Sequence, residues 1–508
     1  MKHLIACSLL IACAPVYAQS TIASLIQNGQ REAALEAIQA RDADVNSTQG
    51  DGTTPLHWAV YKVDRELVAE LLRRGAEANV TNKYGSSPLA EAVKLGDPAM
   101  VTQLLDAGAD VESPNGDGQT ALMLAARVGS LEIAKLLVAR GADVNAKEAW
   151  RDQTPLIWAV DGNSPELTQF LIDEGADVHV RASANEWDSQ ITSEPRAQYR
   201  PIGGLTPLLY AARSGCTRCA RSLLEAGANI DQPTPEGMTP LMIAIDNTRY
   251  DTARLLLDEG ANPHVWDWYG RTALYVAVDM STFRGRQPGP TTSSETSAID
   301  LVRLLLGAGV NPNPQLNMHR PSRGGNIGRF TDDLLTTGAT PLLRAAIGAD
   351  VEAARLLLAH GALVDLPNVM GVTPLMAAAG QGVSGRDRNF NPEQAQARTI
   401  EVLEVLLAAG ADINAKITDT NGRSARIARL STMTERLGQT ALFGAVKFGW
   451  TNVVEFLLAN GADPLTKDAL GKTPIDAAMG RIGGRDNTVS EEIAALLERA
   501  AEGRTASR

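Results

Sequence analysis

The chain has 508 residues, of which 44% are hydrophobic and 21% charged, and its formal net charge is −12. That content can bury a core, and the length suits several ordinary domains or one long array. The acidic balance excludes a nucleic-acid binder held mainly through phosphate contacts.

At the N-terminus, Lys2 and His3 precede the apolar run 4–14, Pro15 breaks it, and Val16-Tyr17-Ala18 supplies small residues at the two positions a signal peptidase reads. This predicts a signal peptide, residues 1–18. The run is too short to span a bilayer as a mature helix. "LIAC" (10–13) offers an alternative, a lipid anchor at Cys13. No later segment is apolar enough to span a membrane. The mature protein is expected in the periplasm, with secretion or lipid tethering as the other outcomes. Of four cysteines only Cys216 and Cys219 lie beyond this segment, which excludes a disulfide-stapled scaffold.

Past residue 50 the chain keeps a beat. A Thr- or Ser-led tetrad opens at Thr54, Ser87, Thr120, Thr154, Thr206, Thr239, Thr272, Thr340, Thr373, Thr440 and Thr473, at a basic step of 33 residues. "LLRRGA", "LLDAGA" and "LLEAGA" follow at matching offsets. A period of this size predicts stacked repeats. Thr caps a first helix and Pro occupies its first position without losing a needed donor. A second helix carries the leucine pair, and the Gly of "GA" ends it in a left-handed cap.

The pattern in 51–79 and 117–145 resembles the ankyrin repeat, and the resemblance covers nearly the whole mature chain. It implies an all-α ankyrin-repeat solenoid of stacked helix-turn-helix units with hairpin fingers and several long loop insertions. The expected organisation is a single solenoid over 19–500. It has an N-terminal cap at 20–48, ten repeats over about 51–469, a C-terminal cap at 470–500 and a tail at 501–508. The family's tetrad histidine is present only at His57. The resemblance further implies a protein partner, bound by finger tips and by the exposed side of the first helices.

Longer steps mark insertions near 183–203, 280–297, 314–336, 381–398 and 416–436, and a shorter one at 480–490. Together they hold 16 of the 37 arginines. Arginine suits bidentate grip on carboxylates or phosphates. These side chains either face a partner or dock back on the acidic body; the sequence leaves both open.

Offsets from the opening Thr or Ser give the candidate surface. Tyr84, Trp150, Arg151, Trp268 and Tyr269 fall at finger tips, with Trp266 beside the last, and Tyr61, Arg127 and Arg213 fall at the far ends of first helices. Trp187 lies in the first insertion. Trp, Tyr and Arg dominate interface energetics. The alternative is that these aromatics pack against an insertion, Trp150 against Trp187 for example.

Cys216-x-x-Cys219 sits at the start of a second helix, where the spacing suits a local disulfide or a redox pair. Alignment with 131–137 puts Cys219 in the place of Ile133, a buried apolar role. No phosphate loop, nucleophile elbow or metal-spaced histidine cluster is present. The expected protein is therefore a monomeric, cofactor-free, non-enzymatic scaffold of the bacterial envelope that binds a protein. The alternatives are a redox accessory protein or enzyme, using the cysteine pair or an insertion-built pocket, and a lipid-anchored structural scaffold.

Overall fold

The computed structural model describes residues 21–185, 202–282, 294–317, 334–335, 337–380, 392–418, 436–480 and 489–506. The predicted signal segment with Cys13, Trp187 and most of each insertion lie outside them. The described residues form two compact units. One runs to Gly162 and includes Asp173–Ala176; the other comprises Asn163–Ile172 and the chain from Asp177 onward.

The first unit holds α1 (Ile22–Gln27), α2 (Arg31–Gln39), α3 (Pro55–Tyr61), α4 (Arg65–Arg73), α5 (Pro88–Leu95), α6 (Pro98–Asp106), α7 (Ala121–Val128), α8 (Leu131–Ala139) and α9 (Pro155–Asp161). The second begins with α10 (Pro165–Asp173), a two-residue ladder of β1 (Ala184–Asn185) with β2 (Ile202–Gly203), α11 (Pro207–Ser214), α12 (Thr217–Glu225), α13 (Pro240–Asp246), α14 (Tyr250–Asp258), α15 (Ala273–Thr282) and α16 (Ala298–Gly307). It continues through α17 (Pro341–Ile347), α18 (Val351–Ala359), α19 (Pro374–Ala378), α20 (Pro392–Ala408), α21 (Ala441–Phe448), α22 (Thr451–Ala459), α23 (Pro474–Ala478) and α24 (Glu491–Ala506). The last helix continues through most of the stretch expected as a tail.

The capping chemistry is the one the tetrads predict. Oγ of Thr54, Ser87 and Thr120 each accepts the amide three residues on. Gly75, Gly108 and Gly141 close second helices at φ between +86° and +94°. First helices stack on first helices, α3 on α5 and α5 on α7, and second helices on second helices, α4 on α6 and α6 on α8. The same rule runs from α11 to α24 in the second unit. Leu56, Leu71, Leu89 and Leu104 are fully buried in the first unit, each contributing about 1.5–3 kcal/mol.

Polar side chains stitch one repeat to the next. Asn79 Nδ2 donates to Gly108 O (3.0 Å), and its Oδ1 accepts from Asp110 N (2.6 Å). Asn46, Asn313 and Asn414 make the same pair of bonds. The carbonyl is an orphan of the helix end, so the asparagine satisfies it. Asn79→Ala should destabilise the first unit by about 1 kcal/mol. Asn79→Asp, which keeps only the acceptor, should fall between the two, and urea midpoints give the order.

A second stitch joins helix caps. Arg65 forks onto Asp97 (2.9 Å for both bonds), while Asp97 also caps α6 through Met100 N (3.0 Å). Burial pushes the Asp97 carboxyl up, but Arg65 and the helix amides outweigh it and hold it below the usual carboxylate range.

His57 is buried between repeats. Its Nε2 donates to Ser86 O (2.9 Å) and its Nδ1 accepts from Thr54 N (3.2 Å), the neutral Nε2–H tautomer. Burial lowers its pKa below the ordinary histidine value. Below about pH 6.5 the unfolded chain takes up the proton first, so it binds more protons than the folded one. Stability should therefore be complete above that pH and fall as pH drops through the depressed folded value. Urea midpoints from pH 8 to 5 should show this slope, and His57→Gln should flatten it.

Candidate interaction surface

Each finger is a tight hairpin held by one side-chain acceptor. In the first unit Asn82 Oδ1 accepts from Tyr84 N and Ser86 N, and Asn115 Oδ1 from Asp117 N and Gln119 N. In the fourth finger a glutamate replaces the short side chain. Glu148 is buried and takes three amides, Trp150 N (2.7 Å), Arg151 N (2.7 Å) and Gln153 N (3.1 Å). Neighbouring tips are tied by backbone bonds, Lys83 N to Asp51 O and Ala149 N to Asp117 O, both 2.8 Å. Rigid tips hold their side chains outward at little entropic cost on docking.

Tyr61 is 55% exposed, Tyr84 79% and Trp150 72%. Arg127 and Arg151 are also exposed. Cations lie over Tyr61, over Trp150 and over one ring the offsets missed. Arg151 is 4.8 Å from the Trp150 centroid, Lys62 6.0 Å from Tyr61, and Arg127 5.5 Å from Trp158. Trp58 meets Tyr61 edge-on at 5.7 Å. Trp58 and Trp158 stand four residues after their opening Thr, half-buried on the first helix. That regular offset was the signal available for them.

In the second unit Trp266 (69% exposed) and Trp268 (58%) project from the finger built on Asp267. Trp268 N donates to Glu236 O at 2.8 Å. Arg213 is half-buried with its guanidinium 4.6 Å from the ring of buried Tyr210. Tyr269 corrects the expectation of an exposed tip residue: it is 2% exposed. The finger segment at 315–317 crosses it, with Asn317 N donating to Tyr269 O (2.9 Å), and the Arg271 guanidinium lies 5.4 Å from its ring.

Two buried ion pairs were also missed. Arg271 donates to Asp267 through Nε (2.7 Å) and Nη2 (2.6 Å), with Asp246 3.7 Å away. Burial works to lower its pKa, yet Asp267, Asp246 and Asp279 outweigh burial and raise it above the ordinary value. Arg344 pairs with Asp279 in the same unit, both side chains buried. No sequence signal separated these arginines from solvated ones.

Cys216 and Cys219 form a disulfide. Cys216 Sγ also takes the N-cap of α12 by accepting from Cys219 N (3.2 Å). Both cysteines are buried. Thiol–disulfide exchange needs an accessible sulfur, so the pair staples a turn and offers no redox partner a surface. Among the described residues no group of His, Cys, Asp or Glu is placed to hold a metal ion, and no helix is long and apolar enough to cross a membrane.

The family described as "Ankyrin repeats (3 copies)" matches residues 21–115, 92–182, 189–267, 208–315 and 292–417, and "Ankyrin repeat" matches 437–469. A curated relative, the Neurogenic locus Notch protein of Drosophila melanogaster, is 34% identical over 116 residues, 23% of this chain. The match spans 4% of that protein's length. The human ASB11 ankyrin repeat domain, a solved structure, covers 48% of this chain and 100% of its own at 23% identity, with a TM-score of 0.39. Ankyrin repeats are general protein–protein interaction modules, and with matches running over most of its length this chain belongs to the ankyrin repeat family.

Proposed function

We propose that this protein is a non-enzymatic scaffold that binds a protein partner through its finger tips and first helices. The observation that carries this is the exposure of Trp150, Trp266 and Trp268 on fingers locked by carboxylate-to-amide bonds. Large rings held rigidly in water are a cost to a monomer and the usual anchors of an interface. We place the protein outside the cytoplasm, in the bacterial envelope. The reading of residues 1–18 as a signal peptide supports this, and a disulfide is the chemistry of an oxidising compartment.

The test is capture from an envelope fraction by the wild type and by Trp150→Ala/Trp266→Ala/Trp268→Ala, with folding checked by circular dichroism. A protein held by the wild type and lost by the folded variant is the expected result. Equal capture by both would move the interface away from these tips. Mass measurement of the exported chain should give an N-terminus at Gln19; an intact Met1 on the purified protein would refute export by cleavage.

A further inference from the structure

One finger of the first unit, with the first helix it leads into, departs from its neighbours in four ways, all within residues 148–158 or, for Arg127, against them. At the position two before the opening Thr the other fingers of this unit carry Gly52, Gly85 and Gly118, all at positive φ. Here Asp152 holds φ +53°. A side chain stands where the neighbouring fingers use glycine, and aspartate is one of the residues that tolerates this conformation.

Thr154 makes no capping bond, and its buried Oγ1 has no hydrogen-bond partner among the described residues. The indole N–H of Trp158 is likewise buried and unpartnered. In the equivalent position of the first repeat, Trp58 Nε1 donates to Gln49 Oε1 at 2.8 Å. The residue that opens this hairpin in Gln49's place is Glu148, whose carboxylate is taken by the amides of Trp150, Arg151 and Gln153 rather than by the indole. A buried donor without an acceptor is destabilising until one arrives.

The fourth departure is cationic. Arg151 lies over Trp150 and Arg127 over Trp158, both arginines are exposed, and neither makes an ion pair among the described residues. Arg31, Arg65, Arg73, Arg74 and Arg140 of the same unit are paired with carboxylates, and Arg41, the other arginine without an ion pair among the described residues, lies over no ring. A guanidinium held over an indole without a carboxylate partner keeps N–H donors free for one, and its fork suits bidentate pairing.

We propose that this finger and the adjoining first helices form the specificity site for a partner segment carrying an isolated Asp or Glu. Arg127 grips the carboxylate, Trp158 Nε1 donates to the same segment once Arg127 swings to it, and Arg151 at the finger tip attracts the segment by charge. A polyanion such as a nucleic acid is disfavoured, because exposed Asp117, Asp152 and Asp161 interrupt the cationic pair. One carboxylate among apolar neighbours fits instead, with half-exposed Val128 and Tyr61 on the same row of helix ends.

This rests on the interaction-module reading, and the test separates the two. A random dodecapeptide library is selected on the wild-type protein, and the enriched peptides are measured by fluorescence anisotropy. The expected result is enrichment of a single Asp or Glu beside aliphatic or aromatic residues. Binding should weaken at least tenfold in Arg127→Ala/Arg151→Ala and stay within twofold in Arg140→Ala, an arginine of the second-helix face. Because Arg127 and Arg151 are exposed and make no ion pair, urea midpoints of the double variant should fall only slightly, through loss of the two ring contacts. Acid-free peptides, or peptides that bind the double variant as tightly, overturn the carboxylate site and leave the module reading standing. A library that enriches nothing overturns both.

Discussion

Asp267→Ala is expected to destabilise the second unit by about 3–5 kcal/mol. The carboxylate does two things at once. Oδ1 accepts from Tyr269 N (3.0 Å) and Arg271 N (2.8 Å), which shapes the finger, and Oδ2 holds the buried Arg271 guanidinium at 2.6–2.7 Å. Alanine removes both and strands a buried cation, with Asp246 at 3.7 Å the nearest remaining carboxylate. Asp267→Asn separates the roles, because asparagine already holds this turn at Asn82, Asn115 and Asn368. It should cost roughly half as much, since the fork loses its charge partner but the hairpin keeps its acceptor. Arg271→Met added to Asp267→Asn should then recover much of the loss, as Met238 already stands at the same offset in the preceding finger. Urea unfolding of the four proteins gives the order. A double variant no more stable than Asp267→Asn would mean that the buried charge is not what the aspartate serves.

The repeat backbone was legible in the sequence because its signals are local. Thr before Pro at the repeat's own period marks a helix start, and the Gly of "GA" marks an end, so Thr206, Thr239 and Gly227 behave as their spelling requires. Cys219 could be placed in the core because it aligns with Ile133, and both are fully buried. Burial at the finger tips was not legible in the same way. Tyr84 and Tyr269 share one offset, yet one stands in solvent and the other is enclosed. Offset fixes where the backbone goes, whereas enclosure depends on the neighbouring finger and on Arg271 beneath the ring. The unpartnered groups of Thr154 and Trp158 left no mark either: Thr154 is spelled like the tetrads that do form a cap, and the Trp158 donor lacks an acceptor that another segment would have to supply.

Gly270→Ala is the second large effect, and Gly227→Ala is its control within the same unit. Both glycines have positive φ, +78° and +90°. Each substitution therefore carries the left-handed penalty of about 1–2 kcal/mol. A Cβ on Gly227 meets nothing within 4 Å. One on Gly270 would stand 2.8 Å from Asn317 N and 2.9 Å from Gln315 O, both backbone atoms that cannot rotate away. Relief requires the two fingers to separate, which breaks the Asn317 N to Tyr269 O bond and opens the cover over Tyr269. Overpacking of this kind adds about 1–3 kcal/mol, for a total of roughly 2–5 against about 1–2 for the control. In a chain of stacked repeats the damage should be local. Amide exchange at Asn317 should accelerate in Gly270→Ala while exchange in α12 stays unchanged, and Tyr269 should become reachable by surface-directed tyrosine chemistry. Equal urea midpoints for the two variants would show that these fingers are not held in close contact, and Tyr269 would then return to the exposed set from which its burial removes it.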